Sequence, residues 1–206
     1  MKNNIFYLYK SLYKKFGISP GSVKARDAKQ QYLRFKHLIS LVDIKRNDKI
    51  LDVGCGLGDL SNYLKKNKIY SKYHGIDFIE EFIQAAKNTY GDKRTRFSRM
   101  DIYKDKFPSD CDWLILSGLF NDKTKNSEAL MFKIIKKMFY SAKKGIVFNG
   151  LNKYVDYEDR KLFYNYPEKI LKYCINNLSK YVILKTNYQL KKNTIPFEFS
   201  VAVFKK

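Results

Sequence analysis

In Lys49-Ile50-Leu51-Asp52-Val53-Gly54-Cys55-Gly56-Leu57-Gly58 a short apolar run ends in an acidic residue and passes directly into three glycines at alternate positions. A run of that length and polarity suits a strand buried on both faces. The glycines beyond it let the backbone bend sharply and let a ligand approach the main chain. Residues 59–66 then carry the apolar spacing of a helix, whose first turn has free N–H groups. Strand, glycine turn and helix in that order make the first half of a strand–helix–strand unit.

The same rhythm recurs downstream. Apolar runs at 73–77, 95–98, 113–117 and 145–149 read as strands, and 80–89 and 127–142 read as helices between them. Strands alternating with helices predict a parallel sheet covered on both faces. Residues 181–187 and 197–204 read as two further strands with a short connection, which makes them an antiparallel pair. Upstream, Ile5, Leu8, Tyr9 and Leu12, and then Leu33, Phe35, Leu38 and Ile39, recur at helical intervals on either side of a turn at 17–22. Residues 1–45 are therefore expected to form a helical cap on the same domain as 46–206.

Composition limits the partners. With 206 residues, 45% of them hydrophobic and 16% aromatic, the chain can build one core and is no disordered polymer. No apolar run approaches the roughly 18 residues that a membrane span needs, and the N-terminus lacks a secretory pattern, so a cytoplasmic location is expected. Three cysteines (Cys55, Cys111, Cys174) and two histidines (His37, His74) make neither a disulfide framework nor a zinc motif. The net charge of +21 comes from 41 basic and 20 acidic residues, and 34 of the basic ones are lysine. These lysines are scattered singly and in pairs, and Arg, the better phosphate fork, is scarce. Lys, Asn, Ile, Tyr and Phe are also what A- and T-rich codons supply, so nucleic acid is the less favoured partner.

Two carboxylates follow the strands in register with the glycine turn. Asp77 closes the second strand, where an acidic side chain can accept both hydrogen bonds of a ribose diol. Its alternative role is to cap the helix beginning near Glu80. Asp101 follows the third strand and precedes Ile102. A dinucleotide fingerprint would need a third glycine where this chain has Asp59, which disfavours NAD and FAD. The Gly54-x-Gly56-x-Gly58 spacing after Asp52 instead resembles the first motif of the class I S-adenosylmethionine-dependent methyltransferases. The likeness extends, over nearly the whole chain, to a group of small bacterial members. It rests on Gln30-Gln31-Tyr32-Leu33-Arg34-Phe35, Gly56-Leu57-Gly58-Asp59-Leu60, Ser117-Gly118-Leu119-Phe120-Asn121, Phe148-Asn149-Gly150-Leu151 and the segments 162–167 and 196–201.

The resemblance implies a Rossmann-like α/β fold, mostly parallel with an antiparallel C-terminal strand and helices on both faces. It implies S-adenosylmethionine as cofactor, held by 46–206. The methionine part would lie near Gly54, Cys55 and Gly56 with Asp52 close by. Asp77, with Phe78 beside it, would take the ribose, and Asp101 and Ile102 the adenine. Ser117 would border the same site. Arg34 is the candidate for the cofactor carboxylate, because a guanidinium matches that geometry. Such enzymes hold an acceptor lone pair in line with the S–CH3 bond at about 3 Å, and positioning supplies much of the acceleration.

On the acceptor side, Asn121, Asn149, Tyr154 and Tyr164 lie on segments expected to frame the pocket. No Asn/Asp-Pro-Pro-aromatic motif and no Pro-Cys pair is present, which disfavours base-amino and cytosine-C5 methylation. No general base is evident, and no metal is expected. An acceptor that is already anionic or is a free amine needs no strong base. The expectation is therefore methyl transfer to O or N of a small, anionic molecule, such as a surface-glycan or phosphoryl precursor. An RNA or protein methyltransferase is the alternative, and a non-catalytic scaffold of the same fold the third reading. The oligomeric state is open.

Overall fold

Parallel pairing spreads in both directions from the strand that precedes the glycine turn. In the computed structural model, which describes residues 2–24 and 27–206, β1 (Lys49–Val53) lies between β2 (Lys72–Asp77) and β4 (Trp113–Leu116). β3 (Thr95–Arg99) extends the sheet beyond β2, and β5 (Gly145–Asn152) extends it beyond β4, all in parallel. β4 and β5 are buried at every residue, as central strands covered on both faces must be. The five expected strands thus form, with ends within three residues of the expected ones.

Helices α3 (Asp59–Lys66), α4 (Glu80–Tyr90) and α5 (Ser127–Ser141) connect them, as their spacing predicts. One core packs Ile134, Ile135 and Met138 of α5 against Leu114, Phe148 and Phe199. The other packs Leu60, Leu64 and Ile83 against Ile50 and Ile115. After β5 the chain makes a two-residue strand, β6 (Tyr164–Asn165), parallel to the end of β5, and then α6 (Pro167–Asn177).

The C-terminal strands pair antiparallel as expected, but their connection is not short. β7 (Val182–Lys185) and β8 (Glu198–Phe204) are separated by residues 186–197. That segment is anchored rather than looped out. Tyr188 is buried, shares a 2.7 Å hydrogen bond with Ser200, and stacks on His37 with ring centroids 4.2 Å apart. β8 inserts between β5 and β7, antiparallel to both, and the sheet order is β3-β2-β1-β4-β5-β8-β7.

The N-terminal segment lies against this frame. α1 (Lys2–Phe16) packs through Phe6 on Phe78, in the turn before α4, and through Tyr9 and Tyr13 on Phe82 of α4, with centroids 5.1, 6.2 and 5.7 Å apart. A short 3-10 turn (Pro20–Val23) follows, and α2 (Ala28–Ile39) begins with Asp27 accepting the Gln30 N–H at 2.7 Å. Leu38 of α2 packs against Val147 and Ala202. Among the described residues no helix is long and apolar enough to cross a membrane.

Gly145 opens β5 where β8 and Trp113 converge. A Cβ there would stand against the Val203 carbonyl and 2.9 Å from the Trp113 ring. Gly145→Ala should therefore lower stability by about 1–3 kcal/mol through overpacking. Urea unfolding should show a lower midpoint with an unchanged slope. An unchanged midpoint would mean that the strand shifts freely at this point.

Candidate functional site

The carboxyl ends of β1, β2 and β4 open on a cavity of about 990 Å³. That is the edge at which open parallel sheets take ligands, and the volume is at the top of the usual range for ligand pockets. Directly after β1, the N–H groups of Gly54 and Cys55 both donate to the Ile76 carbonyl, at 2.8 and 3.0 Å. The turn this forces has φ of 77° at Gly54 and 53° at Gly56, the left-handed region that glycine tolerates. A Cβ on Gly54 would lie 2.7 Å from Leu119 Cδ1, and one on Gly56 would lie 2.8 Å from Val23 Cγ1. Leu119 and Val23 both line the cavity, so the glycines keep its wall clear.

Three carboxylates stand around that turn. Asp52 is buried and accepts the Tyr73 hydroxyl, and burial pushes its pKa up to about 7. Asp77 accepts the Gly56 and Ile79 N–H groups, each at 3.0 Å. Burial raises its pKa, and those backbone donors partly oppose the shift. Ile79, not Asp77, holds the N-cap position of α4 and no side chain caps that helix, so the Asp77–Ile79 bond closes a turn just ahead of it in place of the cap considered for Asp77. Asp101 accepts the Tyr103 N–H at 2.9 Å, while its own N–H donates to Asp105 at 2.7 Å. The Cys55 thiol is raised well above its usual pKa by burial, which makes it packing and not a nucleophile.

The expected site residues Arg34, Asp52, Gly54, Cys55, Gly56, Asp77, Phe78, Asp101, Ile102, Ser117, Asn121 and Tyr164 all line this one cavity. Asn149 does not. It is fully buried behind the wall, where its Oδ1 accepts the Gly118 N–H and its Nδ2 donates to Glu198, both at 2.8 Å. Asn121 presents a buried Oδ1 with no hydrogen-bond partner. The Tyr164 hydroxyl accepts the Asp159 N–H at 3.2 Å and keeps its own proton to donate. His74 and His37 lie off the wall. Burial drives His74 down to a pKa of about 4, and its Nε2 is 2.7 Å from Ser98 Oγ.

Sequence reasoning missed a second cluster on the same wall. The Tyr9 hydroxyl donates to Asp122 Oδ2 at 3.0 Å, and Lys24 pairs with the other carboxylate oxygen. Asp122 directly follows the Ser117–Asn121 stretch, so one more residue of that motif would have found it. Nothing local marks Tyr9 or Lys24. The wall carries six carboxylates (Asp52, Asp77, Asp101, Asp122, Asp156, Glu198) against two cations, Lys24 and Arg34. Each cation is already ion-paired, Lys24 with Asp122 and Arg34 with Glu198. The positive excess of the chain therefore lies elsewhere, and the cavity itself is acidic.

A family model described as a methyltransferase domain matches residues 50–139. A Mycobacterium tuberculosis protein named as a methyltransferase is 28% identical over 152 residues, covering 71% of this chain and 90% of its own length. The phosphoethanolamine N-methyltransferase of Plasmodium falciparum is 29% identical over 104 residues, covering 49% of this chain and 39% of its own. Among solved structures, magnesium protoporphyrin IX methyltransferase from Synechocystis PCC 6803, with bound S-adenosylhomocysteine, has a TM-score of 0.64 at 14% identity. It matches 98% of this chain and 95% of that one.

With a pKa of about 7, Asp52 is half-protonated at neutral pH in the free protein. A ligand bearing a cationic ammonium favours the ionised carboxylate, so its binding should release protons near pH 7. Its affinity should weaken as pH falls below 7, because a proton must then be removed first. Calorimetry with S-adenosylhomocysteine in buffers of different ionisation enthalpy reads this directly, and Asp52→Asn should abolish the dependence. Buffer-independent heats in the wild type would place the ligand charge away from Asp52.

Proposed function

We propose that the chain is a class I S-adenosylmethionine-dependent methyltransferase that methylates a nitrogen or oxygen atom of a small molecule held beneath its N-terminal segment. The observation that carries this reading is a cavity whose lining runs from the glycine turn to Ile5 and Tyr9 of α1 and to the segment after β4. The residues present fit the cofactor. Gly54 and Gly56 leave room along the main chain, and Cys55 lies between them. Asp77 accepts backbone N–H groups of Gly56, Phe78 and Ile79, and its remaining lone-pair capacity suits a ribose hydroxyl. Asp101 and Ile102 suit the adenine edge, Ser117 borders the centre, and Arg34 suits the carboxylate. When bound, S-adenosylmethionine supplies an electrophilic methyl group on a sulfonium.

The wall between α1 and the segment after β4 favours an acceptor that donates hydrogen bonds. Asn121 Oδ1 lacks a donor, Asp122 has lone pairs beyond Tyr9 and Lys24, and the surplus of carboxylates favours positive charge. An amine, or a hydroxyl, satisfies these groups at the reacting end. A phosphate or carboxylate facing the same wall would meet like charge. The anionic character expected from the net charge therefore fits only a part of the acceptor remote from the reacting atom, near the lysine-rich exterior. The name of the Plasmodium falciparum relative joins an amine to a phosphate in one small molecule. Asp122 is the candidate to accept a hydrogen bond from the N–H or O–H of the acceptor, and Tyr9 and Lys24 hold its orientation.

A labelled-methyl assay against small amines, hydroxy compounds, organic anions and cellular RNA tests the reading. Transfer to an amine is expected, with mild salt dependence. Asp122→Asn should lower kcat/KM by about 10- to 100-fold, the loss expected for a charged hydrogen bond, with S-adenosylhomocysteine affinity unchanged. Activity that falls steeply with salt and disappears with ribonuclease would instead assign an RNA acceptor.

A further inference from the structure

We infer that Glu198 and Asn149 are positioning residues that aim Arg34 and the Gly118 turn at the amino-acid end of the cofactor; the inference rests on the cofactor reading proposed above for Arg34. Glu198 opens β8 and is 1% exposed, so its carboxylate is out of water. Its Oε1 accepts Arg34 Nε at 3.1 Å and Nη2 at 2.6 Å. Its Oε2 accepts Arg34 Nε at 2.9 Å and Asn149 Nδ2 at 2.8 Å. The guanidinium is thus gripped along one edge, which leaves Nη1 on the opposite side.

That free edge faces the site. Arg34 Nη1 lies 3.8 Å from where a Cβ on Gly118 would stand, and Gly118 holds a φ of 75°. The Gly118 N–H is in turn held by Asn149 Oδ1. One chain of bonds therefore runs from α2 through β8 and β5 to the turn after β4. Arg34, Glu198 and Gly118 line the cavity, while Asn149 stands behind them.

Stability alone accounts poorly for this arrangement. A buried ion pair recovers little more than its desolvation cost, and an apolar pair of equal volume usually does as well or better. Apolar contacts already join the same elements, through Leu38, Val147 and Ala202. What the pair adds is a fixed direction for a side chain that otherwise loses up to about 2 kcal/mol of rotamer freedom when ordered. Removing the Glu198 charge would free Arg34 electrostatically, yet an unpaired guanidinium 16% exposed has water to turn toward. Loss of aim outweighs gain of charge.

The test compares S-adenosylhomocysteine with methylthioadenosine, which has the same nucleoside but no amino-acid part. Dissociation constants are measured by calorimetry for the wild type, Arg34→Ala, Glu198→Gln and Asn149→Ser, with melting curves for each. Arg34→Ala and Glu198→Gln should each weaken S-adenosylhomocysteine about tenfold, as for loss of a charge-assisted hydrogen bond. Asn149→Ser should weaken it severalfold, and all three should leave methylthioadenosine nearly unchanged. Equal losses for both ligands would make the network merely structural and overturn the inference, as would no loss for either. If Glu198→Gln does not fold, Asn149→Ser, which leaves the ion pair intact, decides alone by the same ratio. Wild-type protein that binds neither ligand would instead refute the cofactor reading, and Arg34→Ala binding normally would remove Arg34 and its two supports together.

Discussion

The carbonyl oxygen of Ile76 accepts the N–H groups of Gly54 and Cys55 together, and the N–H of Gly56 goes to the Asp77 side chain beside it. Three consecutive residues after β1 are thereby fastened to the last two residues of β2. The reversal needs positive φ twice within three residues, which restricts the sequence to Gly-x-Gly at this point. Because β1, β2 and β4 are parallel, their carboxyl ends stand level at one edge. Asp52, Asp77 and Ser117 therefore reach the same cavity although they come from separate units of the chain. In an antiparallel sheet, successive strands would end at opposite edges and the three could not meet.

Charge is sorted by position rather than by composition. A chain with a net charge of +21 encloses a cavity whose carboxylates outnumber its cations, and of the lysines Lys24 alone is among the lining residues described. Burial keeps part of this acidity neutral. Asp52 lies near the midpoint of its titration at neutral pH, and the pKa of Asp77 is raised although backbone donors hold it. A positive ligand group shifts that balance toward the ionised form, so recognition of a cation and ionisation of the wall reinforce each other. The bulk charge thus says little about what the cavity accepts.

The first five strands and the helices between them were legible because each is encoded within its own few residues, by an apolar run, a glycine or a helical period. The glycine turn and Asp77 were legible for the same reason. Asn149 was not, because β5 runs on to Asn152, and three further strand residues move Asn149 from the rim into the buried sheet. α6 begins with Pro167 at its first turn, a local start signal that could have been used. The Tyr9–Asp122–Lys24 and Arg34–Glu198–Asn149 clusters had no such signal. Each joins side chains from distant parts of the sequence, and only the folded sheet brings them together.

The N-terminal segment is tied to the site by forces of two kinds, and they divide the work. Lys24 and Asp122 are partly exposed, at 34% and 16%, and an ion pair in such a setting contributes little on its own. The Tyr9–Asp122 hydrogen bond adds direction more than strength. The contacts of Phe6 with Phe78 and of Tyr9 and Tyr13 with Phe82 bury aromatic surface, which is the larger stabilising term. They are also tolerant of small shifts, since tilted and edge-on ring pairs vary over a range of distances. The aromatic contacts therefore decide that α1 covers the cavity, and the polar clasp at Asp122 decides where it comes to rest. Asp122 thus both registers α1 and lines the cavity that α1 covers.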